Sequence, residues 1–564
     1  MRAYPPRLSL RLLFPPLLAL AACNATGIDS SPAAKASVPP STATNADFAV
    51  LPLPQIDTVG IKSDIALLSS DAFEGRAPGT HGDELARTYI QQQFAKSGLA
   101  PGAADGTWMQ AVSMLGITST VERTLSVHGA LGTLQFAAPD DFTAVAGSPS
   151  ESSAWDEAPL LFVGYGIAAP EQRWDDFKGL DVKGKVLLVL NNDPSDEPDL
   201  FAGKTRLYYG RWTYKYEEAA RRGAAGVIIL HTAPSAGYPY HVVQANHGRE
   251  NFWLPFKQDQ PTLPIRSWCT EDAARKICRA GGKDLDELVK AAQQRSFLPI
   301  PIGINVSLAI RNSVRQLQSA NVLGKLPGSD PNLASETVII TAHFDHLGRG
   351  KPRGADSIYN GALDNASGVA GMLAVLRACS ALPERPRRSI LFASVTAEES
   401  GLLGSEWLAT HLPCERRDAV ANFNIDGLNI WGMTHDIEFV GYGKNSLTTL
   451  ASEFAKAQGR RIEPDTQPDL GIFYRSDHFN FARQGIPAAY FKAGSDFLDR
   501  PADRKRMKAS YTATHYHQPT DELADWWNFD GAVADLQLLA RCMLATASLD
   551  APTWTKGDEF EKLR

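Results

Sequence analysis

Six residues of this sequence carry acidic or imidazole side chains that could together bind metal and catalyse a reaction. They are His343, Asp364, Glu398, Glu399, Asp426 and His517. Two imidazoles with several carboxylates suit zinc better than magnesium or calcium, which prefer oxygen ligands. Two zinc ions roughly 3.5–4 Å apart can share one carboxylate and activate one water. With Asp364 as the shared ligand, each ion keeps one histidine and one acidic residue, and the sequence predicts two Zn²⁺ ions per chain.

Glu398 and Glu399 need separate roles, because adjacent side chains generally diverge and rarely bind the same ion. One of them is expected to bind metal. The other is then free to act as a general base, which takes a proton from the attacking water and passes it to the leaving amine. We assign Glu398 as the base and Glu399 as the ligand, although the spacing in the sequence leaves this order open.

The elements that must position these side chains are apolar runs that alternate with helical patterns. The runs predicted as strands are Val338–Ala342, Ile390–Val395, Val420–Ile425 and Ile486–Phe491. This alternation predicts an α/β fold, a three-layer α/β/α core with a mostly parallel central sheet. Because the carboxyl ends of parallel strands meet at one edge, the side chains that follow these strands should converge there. Asp364 should join them from the start of a helix, since apolar residues follow it at helical spacing.

Each of these residues alone has a commoner structural explanation. A single histidine at a strand end is usually a core or surface residue, and an Asp before Asn-Ala-Ser is most often a helix N-cap. Their joint placement at the ends of successive predicted strands favours the metal site. His346 and His478 lie near the same segments, and we expect neither to bind metal directly. Tyr511 and Tyr516 are candidates to bind substrate, with packing an equally good explanation.

The composition is that of a globular protein, with 44% hydrophobic and 21% charged residues in a chain of 564. This length predicts two or more domains. The net charge is −7 and no tract is rich in Lys or Arg, which argues against nucleic acid as a partner. Apart from Cys23, the cysteines are far apart and odd in number, so we expect buried or free thiols. The sequence leaves open whether Cys269 and Cys278 form a disulfide.

The first residues are typical of an export signal. Three arginines precede the apolar run 12–20, which is too short to span a bilayer. Leu20-Ala21-Ala22-Cys23 resembles a bacterial lipobox, with a plain signal peptide as the alternative. We therefore predict a signal peptide over 1–22 and a flexible tether over 23–55. The protein is expected in the periplasm or cell envelope, anchored to the outer membrane by a lipid at Cys23.

Five strings around the candidate ligands together resemble the M28 family of zinc peptidases, which includes aminopeptidases and glutamate-carboxypeptidase-type enzymes. The strings are Ala342–Gly348, Leu363–Gly368, Ala397–Ser405, Asn424–Asp426 and Tyr516–Asp521. The resemblance implies that one zinc is held by His343, Asp364 and Asp426. It implies that the other is held by Asp364, Glu399 and His517. It also supports Glu398 as the base and places Asp345 behind His343, where it would orient the ring.

A second resemblance concerns the middle of the chain, where short β-like runs are separated by Gly, Asp and Pro. The strings Gly164–Ile167, Trp174–Phe177, Gly184–Val186 and Ala224–Ile228 resemble a protease-associated (PA) domain. We therefore predict a β-rich PA domain inserted over 141–312. The catalytic domain is then formed by 56–140 and 313–555.

These inferences favour an exported dizinc exopeptidase that acts on peptides, most simply an aminopeptidase. A glutamate-carboxypeptidase-like enzyme is the alternative, because Arg475 is one cation that could hold a substrate carboxylate. A binding protein that has lost its ligands is disfavoured, since every ligand position is filled. A cyclase-type acyltransferase is also disfavoured, because it would use one metal and usually lacks the PA insertion. The sequence leaves the oligomeric state open.

Overall fold

The computed structural model describes residues 44–49, 56–130, 132–194, 200–244 and 247–564. The predicted signal peptide, Cys23 and most of the predicted tether lie outside these residues. Within the tether, Asn45–Ala49 form a short helix, and Asn45 Nδ2 donates a hydrogen bond to Glu453 Oε2 at 2.9 Å. Among the described residues, no helix combines the length and apolar character that crossing a membrane requires.

The first part of the chain is mainly helical. Its elements are α1 Asn45–Ala49, α2 Thr58–Leu68, α3 His81–Lys96, β1 Ala100–Pro101 and β2 Met109–Gly129. Asp57 caps α2 by accepting a hydrogen bond from the Val59 amide, and Thr80 caps α3 by accepting one from the Asp83 amide. Ile61, Ile65 and Leu68 form the buried face of α2, so local capping and tertiary packing both favour this helix.

The middle of the chain is rich in short strands. Its elements are β3 Gly132–Phe136, β4 Phe142–Ala146, β5 Ser152–Phe162, β6 Ala168–Ala169, β7 Trp174–Asp175, β8 Val186–Leu190, α4 Trp212–Arg221, β9 Gly226–His231, α5 Ala233–Ala236, α6 His241–Gln244, β10 Glu250–Trp253, β11 Ile265–Thr270, α7 Glu271–Ala280 and α8 Leu285–Ala292. The buried apolar residues of this region form two clusters of their own. The exact limits of the inserted domain, and its identity as a PA domain, stay predictions.

The last part of the chain alternates strands and helices, as predicted. Its elements are β12 Ile300–Leu326, β13 Thr337–His343, β14 Gly348–Arg353, β15 Asp356–Tyr359, α9 Ser367–Ser380, β16 Ser389–Val395, α10 Leu403–Thr410, β17 Ala419–Asn424, β18 Asp436–Val440, α11 Leu447–Ala457, β19 Arg461–Pro464, α12 His478–Ala482, β20 Ala488–Ala493, α13 Pro501–Thr514 and α14 Asp530–Thr546. The four strands predicted from apolar runs correspond to β13, β16, β17 and β20.

The central sheet has the strand order β19-β18-β20-β17-β13-β16-β12. Strands β20, β17, β13 and β16 are parallel to one another, whereas β12 is antiparallel to β16. Strand β18 is antiparallel to β20 and parallel to β19. Helices cover both faces: Val338 and Ile340 of β13 belong to the apolar cluster that includes α9 and α14, whereas Ile339 belongs to the cluster that includes α10 and α12. The predicted α/β fold with a mostly parallel sheet is confirmed.

One strand is much longer than the sequence indicated. The sequence predicts a short strand over Trp108–Val112, but β2 continues to Gly129. The reason is its partner: β12 pairs with β2 along nearly the whole length of β2, from Met109–Val322 to His128–Asn305. Strand β12 also connects the sheet of the core to the strands of the middle region. One end of β12 pairs with β16 of the core, and the other end pairs with β5 of the middle region.

The described cysteines are all free thiols. They are Cys269, Cys278, Cys379, Cys414 and Cys542. All but Cys414 are buried, so the expectation of buried or free thiols is confirmed. The disulfide between Cys269 and Cys278 that the sequence left open is not formed.

Candidate metal centre

Three parallel strands bring their carboxyl ends to one place. His343 is the last residue of β13 and lies opposite Val395, the last residue of β16, while Thr341 lies opposite Asn424, the last residue of β17. The chain that leaves β16 carries Glu398 and Glu399, and the chain that leaves β17 carries Asp426. The convergence expected from a parallel sheet is therefore present.

Asp364 reaches the same edge from an irregular turn, not from the start of a helix. The turn comprises Ala362–Ala366, and α9 begins only at Ser367, so the predicted helix start at Asp364 is wrong. The backbone of Asp364 lies outside the helical region because the turn is held by other bonds. The amides of Leu363 and Asp364 donate to the carboxylate of Asp521, at 2.9 and 3.1 Å.

Asn365 fixes this turn to the strand ends. Its Nδ2 donates to the carbonyl oxygens of His343 at 3.3 Å and Ile425 at 3.1 Å, and its Oδ1 accepts hydrogen bonds from the amides of Gly368 and Gly427. A Cβ at Gly368 would lie only 2.1 Å from Asn365 Oδ1, so this close approach requires glycine. The side chain of Asn365 thus connects its own turn, which carries Asp364, to the end of β13 and to the loop after β17.

All six predicted site residues meet at this edge. The atom pairs are His343 Nε2–Asp364 Oδ1 at 3.4 Å, His343 Nε2–Asp426 Oδ1 at 3.5 Å, His343 Nε2–Glu398 Oε2 at 4.0 Å, His517 Nε2–Asp364 Oδ2 at 3.1 Å and His517 Nε2–Glu399 Oε2 at 3.1 Å. The two oxygens of Asp364 therefore face different histidines. This is the arrangement that a bridging carboxylate requires.

His346 is a member of the site that sequence reasoning set aside. Donor atoms of His346, Asp364 and Glu399 lie within 4.8 Å of one another, as do those of His343, Glu398 and Asp426. His346 Nδ1 is 2.6 Å from Glu399 Oε1, and the residue is fully buried. The available signal was its position three residues after His343, in the same loop. His478, in contrast, belongs to neither group, and its ring packs against Phe473 and Tyr490.

The donor atoms of the centre fit a bound cation. His346 Nε2 is buried without a hydrogen-bond partner among the described residues, and His343 Nε2 and His517 Nε2 each face the oxygens of two or more carboxylates. A buried polar atom without a partner costs free energy, and imidazole nitrogens gathered among carboxylate oxygens indicate a ligand that binds them together. Nitrogen and carboxylate oxygen donors in this proportion suit zinc.

The two adjacent glutamates have opposite electrostatic properties. Burial raises the pKa of Glu398 well above its usual value; His343 opposes this, while the carboxylates of Asp426 and Glu399 raise the pKa further. Burial also acts to raise the pKa of Glu399, but the nearby imidazoles of His517 and His346 outweigh it and lower that pKa to about 2. Glu399 is therefore held as an anion, whereas Glu398 is the better proton acceptor.

Two buried charged residues hold the loops that carry the ligands. Asp345 accepts hydrogen bonds from the amides of Glu398 at 3.0 Å and Glu399 at 3.3 Å, and its carboxylate lies 3.7 Å from His343 Nδ1. Arg76, which the sequence analysis did not single out, donates to the carbonyl oxygens of Phe344 and Asn360 at 2.7 Å and of Gly361 at 2.9 Å. Arg76 thereby joins the loop after β13 to the loop before Asp364.

The two tyrosines near His517 differ in their surroundings. Tyr511 is buried and donates a hydrogen bond to Asp521, which in turn holds the turn at Asp364, so its role is structural. Tyr516 is 53% exposed, and its ring stacks on His517 with 3.9 Å between centroids. Tyr516 therefore remains a candidate for contact with a substrate.

Comparisons with known proteins point to one family. Residues 321–539 match the family model described as peptidase family M28. The chain is 31% identical over 321 residues to aminopeptidase NAALADL1 of Rattus norvegicus, which covers 48% of this chain and 38% of that protein. It is 25% identical over 209 residues to leupeptin-inactivating enzyme 1 of Streptomyces exfoliatus, which covers 36% of this chain and 43% of that protein. The chain thus spans less than half the length of these two curated relatives.

Among solved structures, an aminopeptidase structure resembles the present one over most of its length. It is the aminopeptidase from Aneurinibacillus sp. strain AM-1, with a TM-score of 0.51 and 21% sequence identity. The match covers 89% of this chain and 96% of that chain. At this identity the likeness concerns the fold, which extends from the core into the middle region.

Proposed function

We propose that the protein is a zinc-dependent aminopeptidase that removes N-terminal residues from peptides, because residues 321–539 match the model of peptidase family M28. The observation that carries the proposal is the position of Asp364, whose two carboxylate oxygens face His343 and His517. Relatives named as aminopeptidases support the reaction class. A glutamate-carboxypeptidase-like activity on the same centre is the alternative.

The donor groups would hold two zinc ions, with Asp364 contributing to both sets. One ion would be held by His343, Asp364 and Asp426. The other would be held by Asp364, Glu399 and His517. His346 supports this second set, since its Nδ1 lies 2.6 Å from the Glu399 oxygen that does not face His517. When bound, the ions would polarise the scissile carbonyl and lower the pKa of a water molecule.

Glu398 is the proposed general base. Its carboxylate lies 4.0 Å from His343 Nε2, beside the proposed ligands, and burial raises its pKa well above the usual value. A carboxylate of raised pKa takes a proton from the attacking water more readily and gives it up to the leaving amine. Asp345 positions this base by accepting hydrogen bonds from the amides of both glutamates.

The direct test is a panel of aminoacyl-nitroanilides and N-blocked peptides with a free C-terminus, assayed with zinc and with a chelator. The proposal expects hydrolysis of the aminoacyl-nitroanilides, loss of activity with the chelator and recovery with added zinc. Cleavage of the N-blocked peptides alone would favour the carboxypeptidase alternative. Activity that survives complete removal of metal would refute both.

A further inference from the structure

The contact between His346 and Glu399 is shorter than the other imidazole–carboxylate contacts of the metal centre. His346 Nδ1 lies 2.6 Å from Glu399 Oε1. His517 Nε2, in contrast, lies 3.1 Å from both Asp364 Oδ2 and Glu399 Oε2, and His343 Nε2 lies 3.4 Å from Asp364 Oδ1. The centre therefore contains two kinds of contact, which differ in length by at least half an ångström.

These two lengths correspond to two roles. Zinc binds nitrogen and oxygen at about 2.0–2.1 Å in tetrahedral geometry, which places two donor atoms of one ion roughly 3.3 Å apart. The contacts of His343 and His517, at 3.4 and 3.1 Å, are near this spacing. A separation of 2.6 Å is too short for two donors of one ion and is close to that of a charge-assisted hydrogen bond. His346 therefore contacts Glu399 directly, whereas His517 faces it with the spacing of donors that share an ion.

The two oxygens of Glu399 are divided between these two imidazoles. Oε1 faces His346 Nδ1, and Oε2 faces His517 Nε2. A neutral imidazole carries one N–H, so a proton on Nδ1 of His346 gives Glu399 a donor. The other nitrogen, Nε2, then has no N–H to satisfy, in keeping with its lack of a hydrogen-bond partner in the part of the chain that the structure describes. This tautomer suits both ring nitrogens of His346.

The fold leaves a place for the ring of His346 and holds it there. Gly361 lies against the ring, and a Cβ at Gly361 would come within 2.5 Å of His346 Cγ. Gly361 also has a φ of +57°, so its backbone conformation favours glycine as well. Arg76 Nη2 donates to the carbonyl oxygen of Gly361 at 2.9 Å and fixes this backbone from the other side. The edge contact between the rings of His346 and His517, with 5.6 Å between centroids, completes the enclosure.

A buried histidine near a metal centre is most simply a packing residue, and His478 shows what that role looks like here. Its ring packs against Phe473 and Tyr490, and neither of its nitrogens has a hydrogen-bond partner among the described residues. His346 is as deeply buried, at 1% exposed against 0% for His478. It differs because its Nδ1 contacts a carboxylate that is itself a candidate ligand. Packing alone therefore does not explain His346.

We propose that His346 is a positioning residue that donates a hydrogen bond from Nδ1 to Glu399 Oε1, so that Glu399 binds zinc through Oε2 alone. A carboxylate that uses one oxygen occupies one coordination position instead of two. The position that it leaves free is the open one that a catalytic zinc site requires for water. This inference rests on the proposed zinc centre, which it deepens by naming the residue that determines how one ligand binds.

The first test measures zinc affinity by competition with a chelator, without substrate. We expect His346→Leu to bind one of the two proposed ions about 10–100-fold more weakly, as is typical when a hydrogen-bond partner of a ligand is removed. His346→Asn should recover most of this affinity, because its amide nitrogen can take the place of Nδ1 but is a poor zinc ligand. His478→Leu is the matched buried control and should keep wild-type affinity.

Two outcomes of this competition would overturn the inference. Wild-type affinity in His346→Leu would show that the contact with Glu399 does not support metal binding. A loss in His346→Asn as large as in His346→Leu would make the imidazole itself a zinc ligand. If His346→Leu does not fold, His346→Gln replaces it, since its longer side chain carries the amide past Glu399 Oε1 and should show the same weakening.

Cobalt(II) in place of zinc provides a second readout, because its visible absorption weakens as the number of ligands rises. Without the hydrogen bond, Glu399 is free to bind through both oxygens, so His346→Leu should absorb more weakly per bound cobalt than the wild-type protein. His346→Asn and His478→Leu should keep the wild-type spectrum. An unchanged spectrum in His346→Leu would refute the binding of Glu399 through one oxygen. Wild-type protein that binds metal as expected but cleaves no peptide would refute the aminopeptidase proposal and leave the role of His346 standing.

Discussion

At the scale of single residues, Glu398 and Glu399 are neighbours in the chain whose carboxylates face different groups. Glu399 lies between His346 and His517, at 2.6 and 3.1 Å, whereas Glu398 is 4.0 Å from its nearest imidazole. Imidazole contacts lower the pKa of the first, and burial raises the pKa of the second. The order of base and ligand, which spacing left open, thus has a physical basis in their surroundings.

Replacing Glu398 tests its role as base. We expect Glu398→Gln to keep its zinc but to lower kcat by about 100-fold or more, because positioned general bases contribute roughly 10²–10⁴ to rates. Zinc content by metal analysis and kcat on an aminoacyl-nitroanilide measure the two effects. Glu384→Gln, at an exposed position, is the matched control. Wild-type turnover in Glu398→Gln would remove Glu398 as the base.

Replacing Asp364 tests the bridge. Its two oxygens contact His343 and His517, so Asp364→Ala removes a donor from both proposed zinc sets. We expect the zinc content to fall from about two per chain to one or fewer, with loss of activity. Asp259→Ala, at an exposed acidic position, should keep its metal. An intact pair of ions in Asp364→Ala would contradict the bridging role.

At the scale of elements, the centre depends on loops that are joined by buried polar side chains. Arg76 donates to carbonyl oxygens on both the loop after β13 and the loop before Asp364. Its charge faces the carboxylates of Asp345, Asp521, Asp364 and Glu399. A residue outside the ligand set therefore determines how two ligand-bearing loops approach each other.

We expect Arg76→Met to destabilise the fold and weaken zinc binding together. The substitution leaves several buried carbonyl oxygens unpaired, at about 1–3 kcal/mol each, so the free energy of unfolding should fall by about 3 kcal/mol or more. Urea unfolding and zinc content measure the two effects. Arg353→Met, at an exposed position in β14, is the control. A variant with wild-type stability and metal content would show that Arg76 does not hold these loops.

The sequence predicted the elements whose signal is local and missed what long-range partners decide. Apolar runs located β13, β16, β17 and β20, because strands buried on both faces are apolar throughout. The length of β2 depends on β12, which lies nearly 200 residues away, and no local pattern reports that pairing. Likewise the turn at Asp364 depends on Asp521, so helical spacing alone placed the start of α9 too early. Arg76 was missed for the same reason.

At the scale of the whole molecule, the metal centre lies where many parts of the chain meet. Its residues come from positions 343 to 517, and Arg76 adds a contact from the first part of the chain. A metal that binds only the folded chain stabilises that fold by mass action. Removal of zinc should therefore affect global stability and not only activity.

The loss of stability on removal of zinc should depend on pH, because His517 titrates in the metal-free protein. Burial acts to lower the pKa of His517, but Glu399 and Asp364 outweigh it and raise that pKa to about 10 in the metal-free fold. A folded-state pKa above the usual 6.5 gives stabilisation that is fully present below pH 6.5 and is lost as the pH rises through about 10. Zinc binds neutral imidazole, so the loaded protein does not depend on this proton.

We therefore expect the Tm of chelator-treated protein to fall further below that of zinc-loaded protein as the pH rises from about 6.5 to 10. Thermal unfolding in a pH series, with and without chelator, measures this difference. In His517→Gln the metal-free protein lacks the titrating imidazole, so its Tm should depend less on pH over this range. A gap that stays constant across the series in the wild-type protein would contradict the pairing of His517 with Glu399 and Asp364.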